Sequence, residues 1–265
     1  MDIIKKAARS IKRGLSDYVM YLDDMEVLRW KYKHSKRLSK FWNKHKGESC
    51  FIICNGPSLN DIDLERINKH HSFGLNKIYL IFERVKLDLS YHVCVNPYVI
   101  KQGFREMEGL DCPKFIAYKN IGQVNNYDED VYFFMTGGRH FSFSEDITRP
   151  IHGGHTVTFS ALQIAFFMGF NTVFLVGADH DYSASGEPNE LQTYRGNDVN
   201  HFDSRYFKDQ EWQLPDLEAS ELAYRLADYC YRRDKRKIYN ATPGGKLEIF
   251  ERIPFDKALE MCSPK

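Results

Sequence analysis

The sequence lacks several features that define common functional classes. It has no apolar run of the roughly 20 residues that a membrane-spanning helix needs. The first residues contain no uninterrupted apolar stretch of the kind found in secretory signals, so we expect a cytoplasmic location. The formal net charge is only +1, which argues against nucleic acid as a partner, because such proteins need a broad basic surface.

Cysteine pairs with metal-binding or redox spacing are also missing. The six cysteines include no CxxC pair, and several lie in apolar segments. Cys50 and Cys54, for example, flank a run of three apolar residues. This pattern predicts buried free thiols in a reducing compartment.

The first 47 residues are rich in lysine and arginine, with apolar residues between them at helical spacing. We predict two parts: a basic amphipathic helical extension over 1–47 and a catalytic domain over 48–265. Such a helix can lie on the inner face of a membrane. The alternatives are that it packs on the catalytic domain or on a second copy of the chain in a homo-oligomer.

From residue 48 onward, short apolar segments alternate with helical patterns. This order predicts an α/β fold with a Rossmann-like, mainly parallel sheet and helices on both faces. The predicted strands are 50–54, 73–76, 91–95, 114–118, 131–135, 172–177 and 237–240, with a short edge piece at 247–250. The predicted helices are 61–68, 156–169, which is apolar nearly all round, and 217–232, with Leu222, Leu226, Tyr229 and Cys230 facing inward.

Polar residues repeatedly follow the apolar strands. In open parallel sheets, ligands bind beyond the carboxyl ends of the strands. The sequence therefore predicts a nucleotide or nucleotide-sugar site at that edge. The residues concerned are Asn55, Asn76, Asn96, Asp179 and Asn240.

Two glycine-containing turns are candidate phosphate-binding elements. Asn55-Gly56-Pro57-Ser58 follows a strand but matches neither the P-loop nor the dinucleotide fingerprint. An ordinary turn is the alternative. Gly153 and Gly154 precede the apolar helix, whose N-terminus can bind an anion, with Arg149 adding a forked contact and Thr156 capping the helix.

The segment Asp179-His180-Asp181-Tyr182 follows the most apolar strand. Asp179 and Asp181 form a D-x-D pattern, which would hold Mg²⁺ on a diphosphate in one interpretation. In another, Asp179 orients a loop or binds ribose, and no metal is required. The long polar stretch 183–213 contains His201, a candidate general base or a structural loop histidine.

The motifs together resemble a known group. Asn55-Gly56-Pro57-Ser58-Leu59, Asn76, Asn96-Pro97, the glycine-rich helix start and Gly177-Ala178-Asp179 are similar to those of the bacterial sialyltransferases of glycosyltransferase family 42. They are closer still to the related MptE-like domain, shared by motility accessory factors and archaeal 6-hydroxymethylpterin diphosphokinases. NHFDSRYF and YNATPGGKLEIF add to the resemblance, which covers roughly 49–255.

The resemblance implies a GT-A-like variant of the Rossmann-like fold. It also implies an inverting, metal-independent transfer of a nonulosonic or Kdo-type sugar from a CMP-activated donor. The acceptor would be a surface glycan or a lipid-linked oligosaccharide. Residues implied to contact the donor nucleotide and its phosphate are Asn55, Gly56, Ser58, Asn76, Asn96, Arg149, Gly153, Gly154, Thr156 and Asp179.

The resemblance also implies catalytic roles. Tyr182 would stabilise the departing phosphate, with Tyr194 as the second tyrosine. His201 would be the base, with His180 as the reserve candidate. Two other functions stay open: a Mg²⁺-dependent 6-hydroxymethylpterin diphosphokinase-like enzyme, and a non-catalytic module that binds a nucleotide or glycan.

Overall fold

The structure, a computed structural model, describes residues 25–124, 127–137, 141–183 and 185–265. It contains ten β-strands: β1 Ser49–Ile53, β2 His71–Leu75, β3 Tyr91–Cys94, β4 Lys114–Ala117, β5 Val131–Phe134, β6 Thr172–Val176, β7 Leu191–Thr193, β8 Glu211–Gln213, β9 Lys237–Asn240 and β10 Glu251–Arg252. Eight form one parallel sheet in the order β10-β9-β6-β1-β2-β3-β4-β5, and β7 pairs with β8 in an antiparallel ribbon.

The helices pack around this sheet. They are α1 Met25–Trp30, α2 Lys36–Leu38, α3 Pro97–Glu108, α4 Val157–Phe167, α5 Leu217–Arg233 and α6 Phe255–Met261. A π-helical turn, Lys31–Ser35, joins α1 to α2. Five 3₁₀ segments complete the helical structure: Ser39–Phe41, Pro57–Asp61, Leu64–Lys69, Ile78–Glu83 and Tyr118–Gln123. The predicted Rossmann-like α/β fold with a mainly parallel sheet is confirmed.

The strand order reverses at β1. The chain proceeds from β1 through β5 on one side of the sheet, and then returns to place β6 on the other side of β1. Ile53, the last residue of β1, pairs with Gly74 of β2 and with Val176 of β6. This reversal opens a crevice at the carboxyl ends of β1 and β6, which is where open α/β sheets bind ligands.

The described part of the predicted extension packs into the same core as the sheet. Trp30, Leu38 and Phe41 are all buried. The indole Nε1 of Trp30 donates a hydrogen bond to the carbonyl oxygen of Phe133 on β5, at 2.8 Å. Residues 1–24 lie outside the described residues, so membrane contact through the extension stays a prediction.

Helix α4 confirms the predicted buried helix, since its residues from Thr158 to Phe167 are all buried. The prediction for α5 is partly wrong. Leu222 and Tyr229 are 57% and 62% exposed, whereas Cys230 is buried. The buried face carries Ala223 and Ala227 together with Tyr224 and Tyr231, and Leu226 is half-buried against the core.

Two further predictions can be compared with the structure. The edge piece expected at 247–250 is wrong in its bounds, since β10 is Glu251–Arg252. All six cysteines are buried free thiols, as predicted. Among the described residues, no helix combines the length and apolar character needed to cross a bilayer.

Candidate functional site

A cavity of about 340 Å³ opens at the carboxyl edge of β1, β2, β3 and β6. It brings together side chains that the sequence places far apart. The predicted site residues that line it are Asn55, Gly56, Asn76, Asn96, Gly153, Thr156, Asp179, His180, Asp181, Tyr182 and His201.

Four other predicted site residues are not part of the lining. Ser58 hydrogen-bonds the lining residue Asp179, and Gly154 stands between the lining residues Gly153 and His155. Arg149 is 62% exposed and pairs with Asp146 at 3.5 Å. Tyr194 accepts a hydrogen bond from the Val199 amide through its hydroxyl, at 3.2 Å. Contacts of these last two residues with a donor stay predictions.

The junction of β1 and β6 is held by one carboxylate. Asp179 Oδ1 accepts a hydrogen bond from the Ser58 amide at 3.1 Å, and Oδ2 accepts one from the Ser58 hydroxyl at 2.6 Å. A Cβ on Gly56 would lie 1.8 Å from Asp179 Oδ2, so only glycine fits. Burial raises the pKa of Asp179 against these hydrogen bonds. This geometry matches the loop-orienting interpretation of Asp179.

The second carboxylate of the D-x-D pattern has a different partner. Asp181 is half exposed and forms an ion pair with Lys246 at 2.7 Å. A cation on both carboxylates would have to compete with Ser58 for Asp179 and with Lys246 for Asp181.

The side-chain amide of Asn55 can accept a further hydrogen bond. Its Oδ1 atom is buried and has no hydrogen-bond partner among the described residues. Buried polar atoms are rarely left unpaired in folded proteins. The carbonyl oxygen of Asn55 accepts a hydrogen bond from the Phe202 amide at 3.0 Å, which ties the loop around His201 to the end of β1. The side chain is therefore positioned for a ligand in the cavity.

The two asparagines after β2 and β3 have local structural roles as well. Asn76 adopts a left-handed backbone conformation with φ of 49°. Its Oδ1 accepts from the Cys94 thiol at 3.4 Å. Asn96 caps α3, since its Oδ1 accepts from the Tyr98 amide at 2.9 Å. Both residues nevertheless line the cavity.

The N-terminus of α4 points at the cavity. Thr156 caps this helix by accepting from the Thr158 amide at 3.3 Å. Gly154 has φ of 62°, and a Cβ there would collide with the ring of Phe159 at 2.3 Å. The tight turn brings the positive end of the helix dipole to the cavity, where an anion would be stabilised.

His201 is held by a carboxylate and an aromatic ring. Its Nδ1 lies 2.9 Å from Oδ2 of Asp198, whose side chain is fully buried. The imidazole stacks on Tyr206 with a centroid separation of 3.9 Å and an interplanar angle of 4°. When Nδ1 is the donor to this carboxylate, a neutral imidazole carries its lone pair on Nε2, which is the arrangement of an oriented general base.

Tyr182 lies next to this pair. Its ring meets the His201 ring edge-on at 6.2 Å. Burial raises the pKa of Tyr182 well above its usual range, so the hydroxyl stays protonated. It can thus donate a hydrogen bond to an anion in the cavity.

The reserve candidate, His180, has a less constrained environment. Its backbone has φ of 53°. Nε2 lies 3.4 Å from Glu221 Oε1, but the two atoms are not aligned for a hydrogen bond. Burial lowers the pKa of His180 and so favours the neutral imidazole. The nearby Glu221 carboxylate opposes this shift.

Sequence reasoning missed two residues beneath the site. One is Asp198, which holds His201. The other is Lys77, a buried ammonium whose Nζ donates to the Tyr206 carbonyl at 2.6 Å, Gln210 Oε1 at 2.6 Å and Gln102 Oε1 at 2.8 Å. A lysine directly after Asn76, at the end of a buried strand, was the available signal.

The fold and cavity define an α/β protein with a ligand site at the reversal point of a parallel sheet. The sequence model of the 6-hydroxymethylpterin diphosphokinase MptE-like family matches residues 28–185, more than half of the chain. The protein therefore belongs to the MptE-like family. No curated protein matches the sequence.

One solved structure with a similar chain fold is that of the sialyltransferase CstII from Campylobacter jejuni, in complex with a substrate analogue, cytidine-5′-monophosphate. The two chains share 13% identity with a TM-score of 0.46, over 78% of this chain and 85% of CstII.

Proposed function

We propose that this protein is an inverting glycosyltransferase that uses a CMP-activated nonulosonic or Kdo-type sugar. One observation carries the proposal: a histidine held by a buried carboxylate, a tyrosine kept protonated by burial and a helix N-terminus line one cavity at the reversal point of the sheet. The motif resemblance to glycosyltransferase family 42, drawn from the sequence itself, supplies the donor class.

The anion-binding side of the cavity would hold the donor phosphate. The N-terminus of α4 offers positive electrostatic potential there. Asn55 offers an amide whose oxygen lacks a partner, which suits a ribose hydroxyl or a cytosine amino group. Lys119, on the rim, adds a positive charge. These groups can bind a nucleoside monophosphate without a metal ion.

The opposite side of the cavity would carry the proton transfer. His201 Nε2 accepts the proton of an acceptor hydroxyl while the oxygen of that hydroxyl forms a bond to the anomeric carbon. The bond from that carbon to the CMP phosphate oxygen breaks, and CMP leaves as the anion. Tyr182 donates a hydrogen bond to that anion, and Asp198 stabilises the imidazolium ion that forms.

The acceptor in this proposal is a glycan or a lipid-linked oligosaccharide. The basic character of residues 1–47 supports a location close to an anionic membrane surface, where such acceptors occur.

The family description favours a second candidate, a pterin diphosphokinase. That reaction moves a diphosphate from ATP and requires Mg²⁺ to bridge the phosphates. Asp179 and Asp181 would be the carboxylates that hold the ion. The existing partners of both carboxylates, Ser58 and Lys246, make this the less favoured function.

The test is a transfer assay with CMP-activated donors, run in EDTA and in Mg²⁺, on the wild type and on His201→Asn. We expect CMP release that EDTA does not affect. Loss of a positioned base should lower turnover of His201→Asn by about 10²–10⁴-fold. Full turnover of that variant would remove His201 from the mechanism. ATP-dependent diphosphate transfer only in Mg²⁺ would establish the second candidate.

A further inference from the structure

A cluster of polar side chains lies at the edge of the sheet opposite the cavity. His45 and Glu48 precede β1, and His71 begins β2. Within the described ranges, these three are the only group of at least three His, Cys, Asp or Glu residues whose ligand atoms all lie within 4.8 Å of one another. They take no part in the proposed transfer reaction.

The donor atoms are close to metal-ligand spacing. His45 Nδ1 lies 2.7 Å and His71 Nε2 lies 3.0 Å from the same carboxylate oxygen, Glu48 Oε2. Zinc bonds of about 2.0–2.2 Å in tetrahedral geometry separate ligand atoms by about 3.3 Å. The two nitrogen–oxygen distances would lengthen by about 0.3–0.6 Å to admit the ion, and the ligand atoms of all three residues lie within 4.8 Å of one another.

The far nitrogen of each imidazole already has an oxygen partner. His45 Nε2 lies 2.6 Å from the Tyr91 hydroxyl, and His71 Nδ1 lies 3.4 Å from the Ser90 hydroxyl. Histidine ligands of zinc characteristically donate their other N–H group to an oxygen in this way. The His45 ring also stacks on Phe170 at 4.5 Å, with an interplanar angle of 12°, which fixes its orientation.

The cluster is reachable from solvent on one side. The His45 side chain is 8% exposed, whereas that of Glu48 is 42% exposed, so an ion would enter past the carboxylate and keep a water molecule as the fourth ligand. Lys44, with its Nζ 5.6 Å from the Tyr91 ring centroid, and Lys265 place positive charge near the cluster, which opposes the binding of a cation.

We propose that His45, Glu48 and His71 form a zinc site. Two imidazoles and one carboxylate suit Zn²⁺, whereas Mg²⁺ and Ca²⁺ prefer oxygen ligands alone. The ion would join the segment after α2 to the start of β2 and so stabilise the fold at this edge. In the metal-free state, Glu48 Oε2 hydrogen-bonds with His45 Nδ1 and lies 3.0 Å from His71 Nε2.

Metal-stripped, tag-free protein would be titrated with Zn²⁺ by calorimetry and with Co²⁺ by visible absorption. We expect one equivalent to bind, with a tetrahedral Co²⁺ spectrum and a higher Tm in Zn²⁺. His71→Asn and Glu48→Gln should abolish that equivalent. His70→Gln is the matched control, because the His70 ring faces the Ser263 carbonyl and should leave binding intact.

A further variant tests the second partner of His45. Tyr91→Phe removes the hydroxyl at His45 Nε2 and should weaken Zn²⁺ binding by about tenfold or more. Circular dichroism of each variant separates lost binding from lost folding, and Glu48→Gln alters a half-exposed side chain that folding tolerates. Absence of binding, or binding unchanged in His71→Asn and Glu48→Gln, would overturn the proposal.

Discussion

Asn55 illustrates how a ligand-binding residue can be recognised from the contacts it lacks. Its buried Oδ1 has no partner among the described residues, so the side chain contributes little to folding. Asn120 differs from Asn55 in its surroundings. Its Oδ1 also has no partner among the described residues, but it is buried outside the cavity lining, and its amide nitrogen donates to the Val95 carbonyl at 3.1 Å.

Asn55→Ala should leave stability almost unchanged and weaken CMP binding. We expect the free energy of unfolding to change by less than about 0.5 kcal/mol, while the Kd for CMP rises about tenfold through loss of one hydrogen bond. Urea denaturation and calorimetry measure the two effects. Asn120→Ala is the control and should show the reverse pattern. Equal affinity of Asn55→Ala and wild type would exclude the amide as a ligand contact.

Close packing at the β1–β6 junction requires glycine at position 56. Gly56→Ala would force its methyl group against Asp179, so we expect a loss of about 1–3 kcal/mol in the free energy of unfolding. Gly122→Ala is the control, since none of the described residues beyond its own chain neighbours places an atom within 4 Å of a Cβ there. Similar urea midpoints for the two variants would contradict the close approach seen between Gly56 and Asp179.

At the scale of elements, Lys77 connects three parts of the site. It follows β2, and its ammonium group bonds Gln102 on α3 and two groups of the loop that carries His201. Because the Tyr206 ring stacks on the His201 imidazole, the bond from Lys77 to Tyr206 also helps to fix the position of His201. Lys77 is thus a positioning residue for the base.

The titration of Lys77 predicts a pH effect. Burial lowers its pKa to about 8. In the unfolded chain this lysine has its ordinary pKa of about 10.4. Between about pH 8 and 10, the unfolded chain therefore binds more protons than the folded chain does. Stability should rise with pH in that window, by at most about 1.4 kcal/mol per pH unit.

Urea denaturation of wild type and Lys77→Met at pH 7, 8, 9 and 10 measures this effect. The stability of wild type relative to Lys77→Met should increase from pH 8 upward, because the variant has no amine to titrate at that position. A constant difference across the range would show that Lys77 keeps an ordinary pKa in the folded protein.

At the scale of the whole molecule, the sequence predicted the sheet better than the loops. Periodicity identified seven of the eight strands of the parallel core, because strands such as β1 are buried on both faces and form continuous apolar runs in the sequence. It did not find the β7–β8 ribbon, whose alternation of exposed and buried residues spans only three positions.

In the candidate site, too, the residues at strand ends were predicted from the sequence, whereas the loop contacts were not. Polar strand ends such as Asn55 and Asp179 could be placed together by topology alone. The pairing of Asp198 with His201 could not, because it depends on a loop turn of three residues. The inward face of α5 was misjudged because hydrophobicity favoured Leu222, whereas the buried face holds Ala223, Tyr224 and Ala227.

The most direct test of the central claim is a thermal-shift panel with CMP, CDP, UDP, GDP, ADP and ATP, each with and without Mg²⁺. A ligand at about 100 times its Kd stabilises the folded state by about 2.7 kcal/mol. We predict that CMP alone raises Tm by several degrees and that Mg²⁺ adds nothing. Stabilisation only by ATP or ADP in Mg²⁺, or by no nucleotide at all, would contradict a metal-independent CMP site in this cavity.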